Sequence, residues 1–506
     1  MKRSNRMRAM LSAVATAVAV TGYYAPTQAL YYTNDLSFGV KTWGRTIPVC
    51  FNSSTVAQTD FAARKTTMMN AVARSWTQAT GLRFTGWGEC PQVGTPKMVN
   101  IGLNTFNKGC DAAATTPLEG RIDMNICPPA WNDETIIHEF GHALGFEHEM
   151  HRPDFNYEGC IYNKIPGGDV LDTIPDYSSI MVSTYCHRIP ELSSWDISGA
   201  QNLWGRPNYF ADVNGDGRAD AIVVNPNGIF VRITDASGKM PASSQALWTP
   251  SPFWGWRGTY FADVDGDKRA DAIAVDSRGV AVMRSTGTKF ENMKFWDGPY
   301  WGEQGTYFAD VSGDGRADAI VVNNDQRVFV AVSDGQKFVR DKYWLMKAPN
   351  DREHKNYFAD VTGADSDGKR RADLIAINQT GLKVCPALIG GTFGACTNWT
   401  KTASWGERGT FFADFNGDGR DDAIVIRGPN GTYANVNVRY SDGVSFGSEG
   451  GQLSWPLGQR GLHFANVDSN PALEAIAIEE DGIWVSRATA GVGLYNATGG
   501  AYYGLR

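Results

Sequence analysis

The sequence lacks the features that mark several common classes of protein. It has no Cys-x-x-Cys pair, so a zinc ribbon or a thioredoxin-like redox motif is not supported. Its 47 basic residues are outnumbered by 54 acidic ones, and the resulting net charge of -7 argues against binding to a nucleic-acid backbone. Beyond residue 20, no apolar run approaches the ~20 residues that a membrane span needs. We therefore expect no nucleic-acid partner and no membrane span.

The first 29 residues have the pattern of an export signal. A basic start is followed by the apolar stretch Ala9 to Val20, and Thr27-Gln28-Ala29 places small residues where a signal peptidase cuts. An uncleaved anchor is the alternative, but the apolar stretch is too short for it. The pattern predicts a signal peptide over residues 1–29 and a secreted, extracellular protein.

The eight cysteines fall into two groups, six between Cys50 and Cys186 and two further on, Cys385 and Cys396. Even numbers in an exported chain indicate disulfides, with free buried thiols as the alternative. Six cysteines allow fifteen connectivities, and the sequence does not choose among them.

The chain divides into two halves that differ in their patterns. Residues 30–205 show no repeat; helical periodicity over Phe61 to Ala79 and Thr135 to Phe146, with short strands near Ile101 and Ile122, predicts an α+β domain. From residue 207, an aromatic strand, an acidic turn and a second strand recur. The leading Asp or Asn falls at 212, 263, 310, 360, 414 and 466, so the spacings are 51, 47, 50, 54 and 52 residues.

A strand repeat of about 50 residues is typical of a β-propeller, in which each blade buries its faces against its neighbours. The pattern therefore predicts an all-β propeller over residues 206–506. Six blades are recognisable, and a seventh would require a copy whose signature has decayed.

One helical segment carries the strongest chemical signal. His138 and His142 are four residues apart and project from the same helix face, where neutral imidazoles can hold one Zn²⁺. Glu139 follows the first histidine, within reach of a water activated by the metal, and would act as the general base. Gly145 can take a left-handed conformation that ends the helix and lets His148 return as the third ligand.

Three protein ligands leave the open position that a catalytic zinc needs. The alternatives are a chance run of histidines and a structural zinc, and the latter would need a fourth donor. His151 is a candidate for that donor, although the sequence favours a histidine in a solvent-facing loop at this position.

The segment resembles the metzincins, and in particular their astacin-like branch, because the motif His-Glu-x-x-His-x-x-Gly-x-x-His is present in full. Glu149 follows the third histidine as in astacins, and Arg152 and Asp154 match the continuation, whereas Asn156 replaces a second acid. The resemblance covers roughly residues 40–205. It implies a metzincin-like catalytic domain, a zinc metallopeptidase, within residues 30–205.

The same resemblance assigns further roles. Tyr177-Ser178-Ser179-Ile180-Met181 is similar to the Met-turn, which would place Met181 beneath the metal; a plain core methionine is the alternative. Astacins carry a tyrosine two residues after that methionine, but here Ser183 occupies that place and the nearest tyrosine is Tyr185. Glu149 would order the floor of the cleft; an ordinary surface carboxylate is the alternative. The resemblance also implies one disulfide, Cys110–Cys127.

The repeat turns place side-chain oxygens at relative positions 1, 3, 5 and 9. Clustered carboxylates of this kind suit Ca²⁺, whereas solvated Asx-Gly turns are the alternative. The expected calcium ligands are Asp212, Asn214, Asp216 and Asp220 in the first turn, Asp263, Asp265, Asp267 and Asp271 in the second, Asp310, Asp314 and Asp318 in the third, and Asp414, Asn416, Asp418 and Asp422 in the fifth.

These turns are not EF-hands, because a bidentate Glu is absent from the twelfth position and a strand follows in place of a helix. They resemble FG-GAP/VCBS propeller blades. The fourth copy has an insertion, and Asp365, Asp367 and Asp373 would supply a site only in a shifted register. The sixth copy carries less charge and is expected to bind calcium weakly or not at all.

Together these features favour a secreted zinc endopeptidase, acting on a protein or peptide substrate, with a calcium-binding propeller for docking or substrate recruitment. The alternative is a non-enzymatic adhesin or lectin that uses the propeller on a metallopeptidase-fold scaffold, with cell-surface glycans or extracellular matrix as partners. A peptidase with one narrow natural substrate is a third hypothesis. Trp254, Trp301 and Trp405 would stack on sugars in a lectin, although such residues more often belong to blade cores.

Overall fold

The structure is a computed structural model of the 506-residue chain. It describes residues 31–33, 46–90, 98–102, 121–126, 132–146, 148–151, 168–170, 179–182, 192–193, 196–197, 199–200, 208–225, 228–249, 251, 253–255, 257–302, 304–350, 356–378, 380–400, 402, 406, 409–427, 433–456, 461–468, 473–478, 483–486, 488–489 and 493–494.

The N-terminal part is built on a four-stranded parallel sheet. This part of the chain contains the strands β1 (Tyr31–Thr33), β2 (Thr46–Phe51), β3 (Arg83–Glu89), β4 (Met98–Gly102), β5 (Arg121–Asn125) and β6 (Gly168–Val170), and four of them form the sheet. The order in the sheet is β3-β2-β4-β5, and β1 pairs with β6 separately. Every residue of β4 is buried, as expected for a strand of a parallel sheet.

Helices pack beside this sheet. They are α1 (Ser53–Val56), α2 (Phe61–Val72), α3 (Gln78–Thr80) and α4 (Asp133–Ala143), with a π-helical turn at Ala73–Thr77 and a 3-10 turn at Glu149–His151. The helix expected over Phe61 to Ala79 is therefore present, but a π-turn interrupts it. α4 begins at the cap Asn132, whose side-chain oxygen accepts from the Thr135 N–H at 2.8 Å.

The C-terminal part is a propeller of antiparallel blades. Blades one to three contain β7–β10 (Asn208–Ala211, Asp220–Asn225, Gly228–Arg232, Gln245–Leu247), β11–β14 (Gly258–Ala262, Asp271–Asp276, Gly279–Met283, Lys294–Asp297) and β15–β18 (Gly305–Ala309, Asp318–Val322, Val328–Ser333, Phe338–Leu345). Blades four to six contain β19–β21 with β24 (Asn356–Ala359, Asp373–Asn378, Gly381–Cys385, Thr397–Asn398), β25–β28 (Gly409–Ala413, Asp422–Arg427, Tyr433–Arg439, Gly450–Pro456) and β29–β31 (Gly461–Ala465, Glu474–Ile478, Ile483–Ser486).

Two further hairpins are β22–β23 (Ala387–Leu388, Thr392–Phe393) in blade four and β32–β33 (Ala488–Thr489, Gly493–Leu494) after blade six. The second strand of each blade is apolar along most of its length because neighbouring blades cover both of its faces. Asp271–Asp276, for example, is buried at all six positions.

Aromatic contacts between the first strands show that the ring closes at six blades. In each pair, a residue at the Tyr position of one blade meets the Phe of the next blade, with ring centroids 5.0–5.2 Å apart. The pairs are Tyr209–Phe261, Tyr260–Phe308, Tyr307–Phe358, Tyr357–Phe412, Phe411–Phe464 and His463–Phe210. The last pair joins blade six to blade one, so the described ring leaves no place for a seventh blade.

Backbone hydrogen bonds follow the same circuit. The N–H of Ala270 in blade two donates to the Asp212 carbonyl of blade one at 2.7 Å, and the N–H of Ala219 in blade one donates to the Asn466 carbonyl of blade six at 2.6 Å. The acidic turn of each of these blades therefore also forms part of its contact with the next blade. None of the described helices is long and apolar enough to cross a membrane.

Candidate functional site

The three histidines of the motif come together at the end of α4. The Nε2 atom of His148 lies 3.0 Å from that of His138 and 3.2 Å from that of His142. Gly145 has a φ of 94°, a left-handed conformation that allows the chain to turn back and bring His148 to the helix. Two ligands thus come from adjacent turns of one helix and the third from the segment that follows the turn.

The chemistry of this donor set fits a cation. The Nδ1 atom of His138 lies 2.7 Å from the Ile180 carbonyl, and that of His142 lies 2.7 Å from the Phe146 carbonyl. A carbonyl can only accept, so each Nδ1 carries the proton and each Nε2 presents a lone pair. A neutral His148 has at most one proton on its Nε2 atom to share between these two lone pairs, whereas one Zn²⁺ binds all three nitrogens, and four-coordinate zinc sets its nitrogens about 3.3 Å apart.

Two carboxylates accompany the histidines, and both are buried. Glu139 is 7% exposed and neighbours the first ligand on α4. Glu149 is 0% exposed, which contradicts the interpretation that it is an ordinary surface carboxylate. Its backbone N–H donates to the Met181 carbonyl at 3.0 Å, which ties the 3-10 turn to the Met181 segment.

His151 does not complete a four-donor cluster. Among the described residues, the only all-histidine group whose donor atoms lie within 4.8 Å of one another is His138, His142 and His148. The ring of His151 stands 5.1 Å from that of His148, between centroids. Within the described part of the chain the site therefore has three donors, the arrangement typical of a catalytic zinc.

Met181 packs directly against the metal helix. It is fully buried, and a Cβ added at Gly141 would collide with its sulfur and come within 3.0 Å of the Trp76 ring. The glycine between the two histidine ligands is therefore required by this close packing. Trp76 also donates from its indole N–H to the Ile137 carbonyl at 2.7 Å. Sequence reasoning did not find this role of Trp76.

Asp196 holds the Met181 segment in place. Its two carboxylate oxygens accept from the Ser179 hydroxyl at 2.5 Å and from the N–H groups of Ile180 and Ser193, each at 2.8 Å. The Ile180 carbonyl in turn accepts a hydrogen bond from the Nδ1–H of His138. A chain of contacts thus runs from a fully buried carboxylate to the first metal ligand, as is usual around metal sites.

Three sequence-derived candidates lie outside the described residues: Tyr185 and the two halves of the expected Cys110–Cys127 disulfide. Among the described residues, two disulfides form, Cys50–Cys90 and Cys385–Cys396. The first joins β2 to the end of β3, and the second closes a loop within blade four.

The acidic turns of blades one, two, three and five share one geometry. In the first turn, Asp212 accepts from the N–H groups of Gly215 and Gly217, each at 2.7 Å, and Asp216 forms an ion pair with Arg218. The second turn brings carboxylate oxygens of Asp263, Asp265 and Asp267 within 4.8 Å of one another. That spread matches oxygens on opposite sides of a Ca²⁺ ion at about 2.3–2.6 Å each.

The aspartate at the ninth position of each turn is buried under its blade. Asp220, Asp271, Asp318 and Asp422 are all 0% exposed. Burial, together with the neighbouring acids of the turn, raises their pKa values, to about 7 for Asp220, Asp318 and Asp422 and to about 8 for Asp271. A bound cation would oppose both causes.

The fourth turn does not form the shifted acidic site that its sequence suggested. Arg371 forms ion pairs with Asp365 and Asp367, at 2.6 and 2.7 Å, and Arg370 pairs with Asp360 at 2.5 Å. Guanidinium groups therefore occupy the carboxylates that a metal would need. In the sixth turn Glu474 accepts from the Val467 N–H at 2.8 Å and is buried.

The tryptophans considered as sugar platforms belong largely to cores. Trp254 packs against both the N-terminal core and the core of blades one and two. Trp301 packs in the core of blades two and three, and the Arg257 guanidinium covers its ring at 4.1 Å. Trp405 lies outside the described residues.

Comparison with protein families identifies both parts of the chain. Residues 37–167 match the family model of the astacin peptidases, and residues 212–274 and 263–321 match that of the FG-GAP-like repeat. The chain therefore contains an astacin domain, which has a metzincin fold, followed by FG-GAP-like repeats in a six-bladed propeller. The expected resemblances and the fold class are confirmed. None of the curated proteins compared with the chain matches it.

Solved structures match the chain only weakly. An Agrocybe aegerita lectin that recognises non-reducing terminal N-acetylglucosamine is 21% identical, over 58% of this chain and 81% of that chain, with a TM-score of 0.43. The Photorhabdus luminescens Tc holotoxin pore is 16% identical over 57% and 13%, with a TM-score of 0.39. The SapL1 lectin in complex with alpha methyl fucoside is 11% identical over 59% and 96%, with a TM-score of 0.34. Similarities at this level carry no functional argument.

Proposed function

We propose that the chain is a secreted zinc endopeptidase that hydrolyses peptide bonds in protein substrates. The observation that carries the proposal is the convergence of the His138, His142 and His148 Nε2 atoms, with Glu139 next to them on the same helix. The astacin domain implies the same metal and the same class of reaction. We assign residues 30–205 to the peptidase domain and residues 206–506 to the propeller, after removal of residues 1–29.

The three histidines would hold Zn²⁺ through Nε2, with the protons of His138 and His142 fixed on Nδ1 by backbone carbonyls. When bound, Zn²⁺ supplies a Lewis acid that polarises a carbonyl and lowers the pKa of a water. Glu139 takes a proton from the attacking water and later delivers it to the leaving amine.

The test separates metal binding from catalysis. We expect Glu139→Gln to retain one zinc per chain but to lose hydrolysis of casein by about 10²–10⁴-fold, because it removes the base and no ligand. Glu134→Gln, in the first turn of the same helix, is the matched control and should hydrolyse casein at the wild-type rate. Unchanged turnover in Glu139→Gln, or purified protein that never carries zinc, would refute the proposal.

For the propeller, we propose calcium in turns one, two, three and five. The support is the shared spacing of oxygen donors, the cluster of Asp263, Asp265 and Asp267, and the buried ninth aspartates whose charge needs a cation. Turn four is left out because arginines pair with three of its acids, including the leading Asp360, whereas in turns one, two, three and five the recurring arginine pairs with the aspartate at the fifth position. Calorimetric titration of metal-free protein with Ca²⁺ should give about four sites.

Substrate recruitment or docking by the propeller stays a prediction. The two disulfides are compatible with an extracellular protein, and export of the chain is part of the proposal. Detection of the chain in culture medium, without residues 1–29, would test it.

A further inference from the structure

The N-terminal part contacts the propeller at the innermost strands of blades six, one and two. The side-chain amide of Gln78 donates to the Thr259 carbonyl at 3.5 Å and also hydrogen bonds to the Tyr209 hydroxyl. The Arg83 guanidinium donates to the Leu462 carbonyl at 3.3 Å. We call residues 76–83 the docking turn, because both contacts come from this short segment.

Apolar packing reinforces these polar contacts. Trp254, in the loop before β11, is shared by the N-terminal core and the core of blades one and two. In blade six, burial lowers the pKa of His463 to about 3, and the Arg83 charge contributes to the same shift. Arg83 therefore lies close enough to the ring of inner-strand aromatics to affect a group within it.

The docking turn also lies under the metal helix. Trp76, its first residue, is fully buried, stacks on Phe146 with ring centroids 5.4 Å apart and donates to the carbonyl of Ile137, the residue before His138. The Thr80 hydroxyl donates back to the Trp76 carbonyl at 2.6 Å, which ties the end of α3 to the π-helical turn. A shift of Gln78 is thereby passed to Trp76 and from there to α4.

We propose that the propeller positions the metal-binding helix through the docking turn, with Gln78 and Arg83 as positioning residues and Trp76 as the side chain that transmits the position. The inference rests on the proposed function in so far as the helix is catalytic. α3 is the last turn of the continuous helical segment 61–80, so Gln78 fixes the end of this segment against the innermost strands of the propeller. Misplacement of a catalytic group by 1 Å can lower a rate by about 10²-fold.

The experiment uses the full-length, zinc-loaded chain with Gln78→Ala and Arg83→Ala combined. We expect zinc to be lost to a chelator about tenfold faster, as for other residues that support metal ligands. We also expect kcat to fall while KM changes little, and amide hydrogen exchange over residues 133–143 to become faster. Arg64→Ala, which breaks an ion pair within α2, is the matched control and should change none of these quantities.

A conservative variant distinguishes positioning from general destabilisation. Arg83→Lys keeps a donor for the Leu462 carbonyl and should restore most of the zinc retention and kcat when Gln78 is intact. If the double variant does not fold, Trp254→Phe serves instead, since it trims the shared packing and keeps the polar contacts. We expect it to speed zinc loss by less than the roughly tenfold expected of the double variant, because it removes only part of the packing.

The results separate this inference from the proposed function. Wild-type zinc loss and wild-type exchange over α4 in these variants would overturn it. If exchange over α4 rises in the variants but the wild type hydrolyses no peptide, the proposed function fails while the inference stands. If the wild type holds no zinc, exchange over α4 alone decides.

Discussion

The second acidic turn yields a prediction in which calcium reverses the sign of a mutation's effect. Asp271 is fully buried, and its two oxygens accept from the N–H groups of Ser285 at 2.7 Å and Val264 at 3.1 Å. Burial, together with the charges of Asp265 and Asp267, raises its pKa from 3.8 to about 8. Without a cation, ionisation of the Asp271 carboxylate therefore lowers the stability of the folded state as the pH rises toward about 8.

The size of this cost follows from the pKa shift. Because the folded state binds the proton more tightly than the unfolded state, the free energy of unfolding of calcium-free protein falls as pH rises from about 4 to about 8. At 1.36 kcal/mol per pKa unit, the loss from Asp271 reaches about 5 kcal/mol at pH 8 and only about 1.5 kcal/mol at pH 5. Bound Ca²⁺ favours the charged carboxylate and removes the loss.

Asp271→Asn tests this reasoning. The amide keeps one acceptor oxygen and leaves one buried N–H poorly paired, a cost of about 1–3 kcal/mol. In calcium-free buffer at pH 8 the removed charge outweighs that cost, so we expect the variant to be more stable than wild type by about 2–4 kcal/mol. In saturating Ca²⁺ the order reverses, since the variant has lost a ligand.

The assay is urea unfolding at pH 5 and pH 8, with and without Ca²⁺, with one equivalent of zinc in every arm. Asp325→Asn, an exposed acid paired with Arg327, is the matched control and should show no calcium-dependent change of sign. Equal destabilisation of Asp271→Asn with and without calcium at pH 8 would refute the argument that a buried charge sets the stability of this turn.

Two other predictions concern buried carboxylates. Asp196→Ala should lower the free energy of unfolding by about 3 kcal/mol, because it leaves buried N–H groups unpaired, and a melting curve checks this. The variant should also release zinc faster, because the Ile180 carbonyl that orients His138 is held less firmly, and a chelator assay checks this. Asp421 stands where four other blades carry alanine, accepts from the Asp360 N–H at 2.9 Å and lies beside Arg370, so Asp421→Ala should destabilise by about 2 kcal/mol. In a double-mutant cycle with Arg370→Ala, the double variant should lose less stability than the sum of the two single variants. Fully additive losses would exclude the pairing of Asp421 with Arg370.

The metal centre was largely predictable because its geometry is local. Ligands four residues apart on a helix share a face whatever surrounds them, and Gly145 marks the point where the chain turns back. The π-turn at Ala73–Thr77 could not be predicted in this way. The apolar periodicity continues through it, and the contact that it serves, from Trp76 to the Ile137 carbonyl, joins residues 61 positions apart.

The fourth propeller turn shows a different limit of sequence reasoning. Counting acids at Asp365, Asp367 and Asp373 suggested a metal site, but other groups of the chain compete with a metal for these carboxylates. Arg371 pairs with the first two, while the third accepts backbone N–H groups of Val361 and Ala387. The spacing in the sequence shows which carboxylates could bind a metal, but only the folded structure shows which other groups of the chain bind them instead.

The place of the docking turn in the ring suggests that the two parts stabilise each other. Blades one and six are not consecutive in the chain, and among the described residues they meet through Phe210 and His463, a backbone hydrogen bond and a shared apolar cluster that includes Met240 and Ile476. We expect the ring to open first at this seam. Gln78 binds blades one and two, and Arg83 binds blade six, so the docking turn bridges the seam. Coupling between two sites is reciprocal. If the propeller positions α4, the N-terminal part must therefore stabilise the propeller in return. Loss of the bridge should let the seam exchange amide hydrogens faster as well as loosen the metal helix.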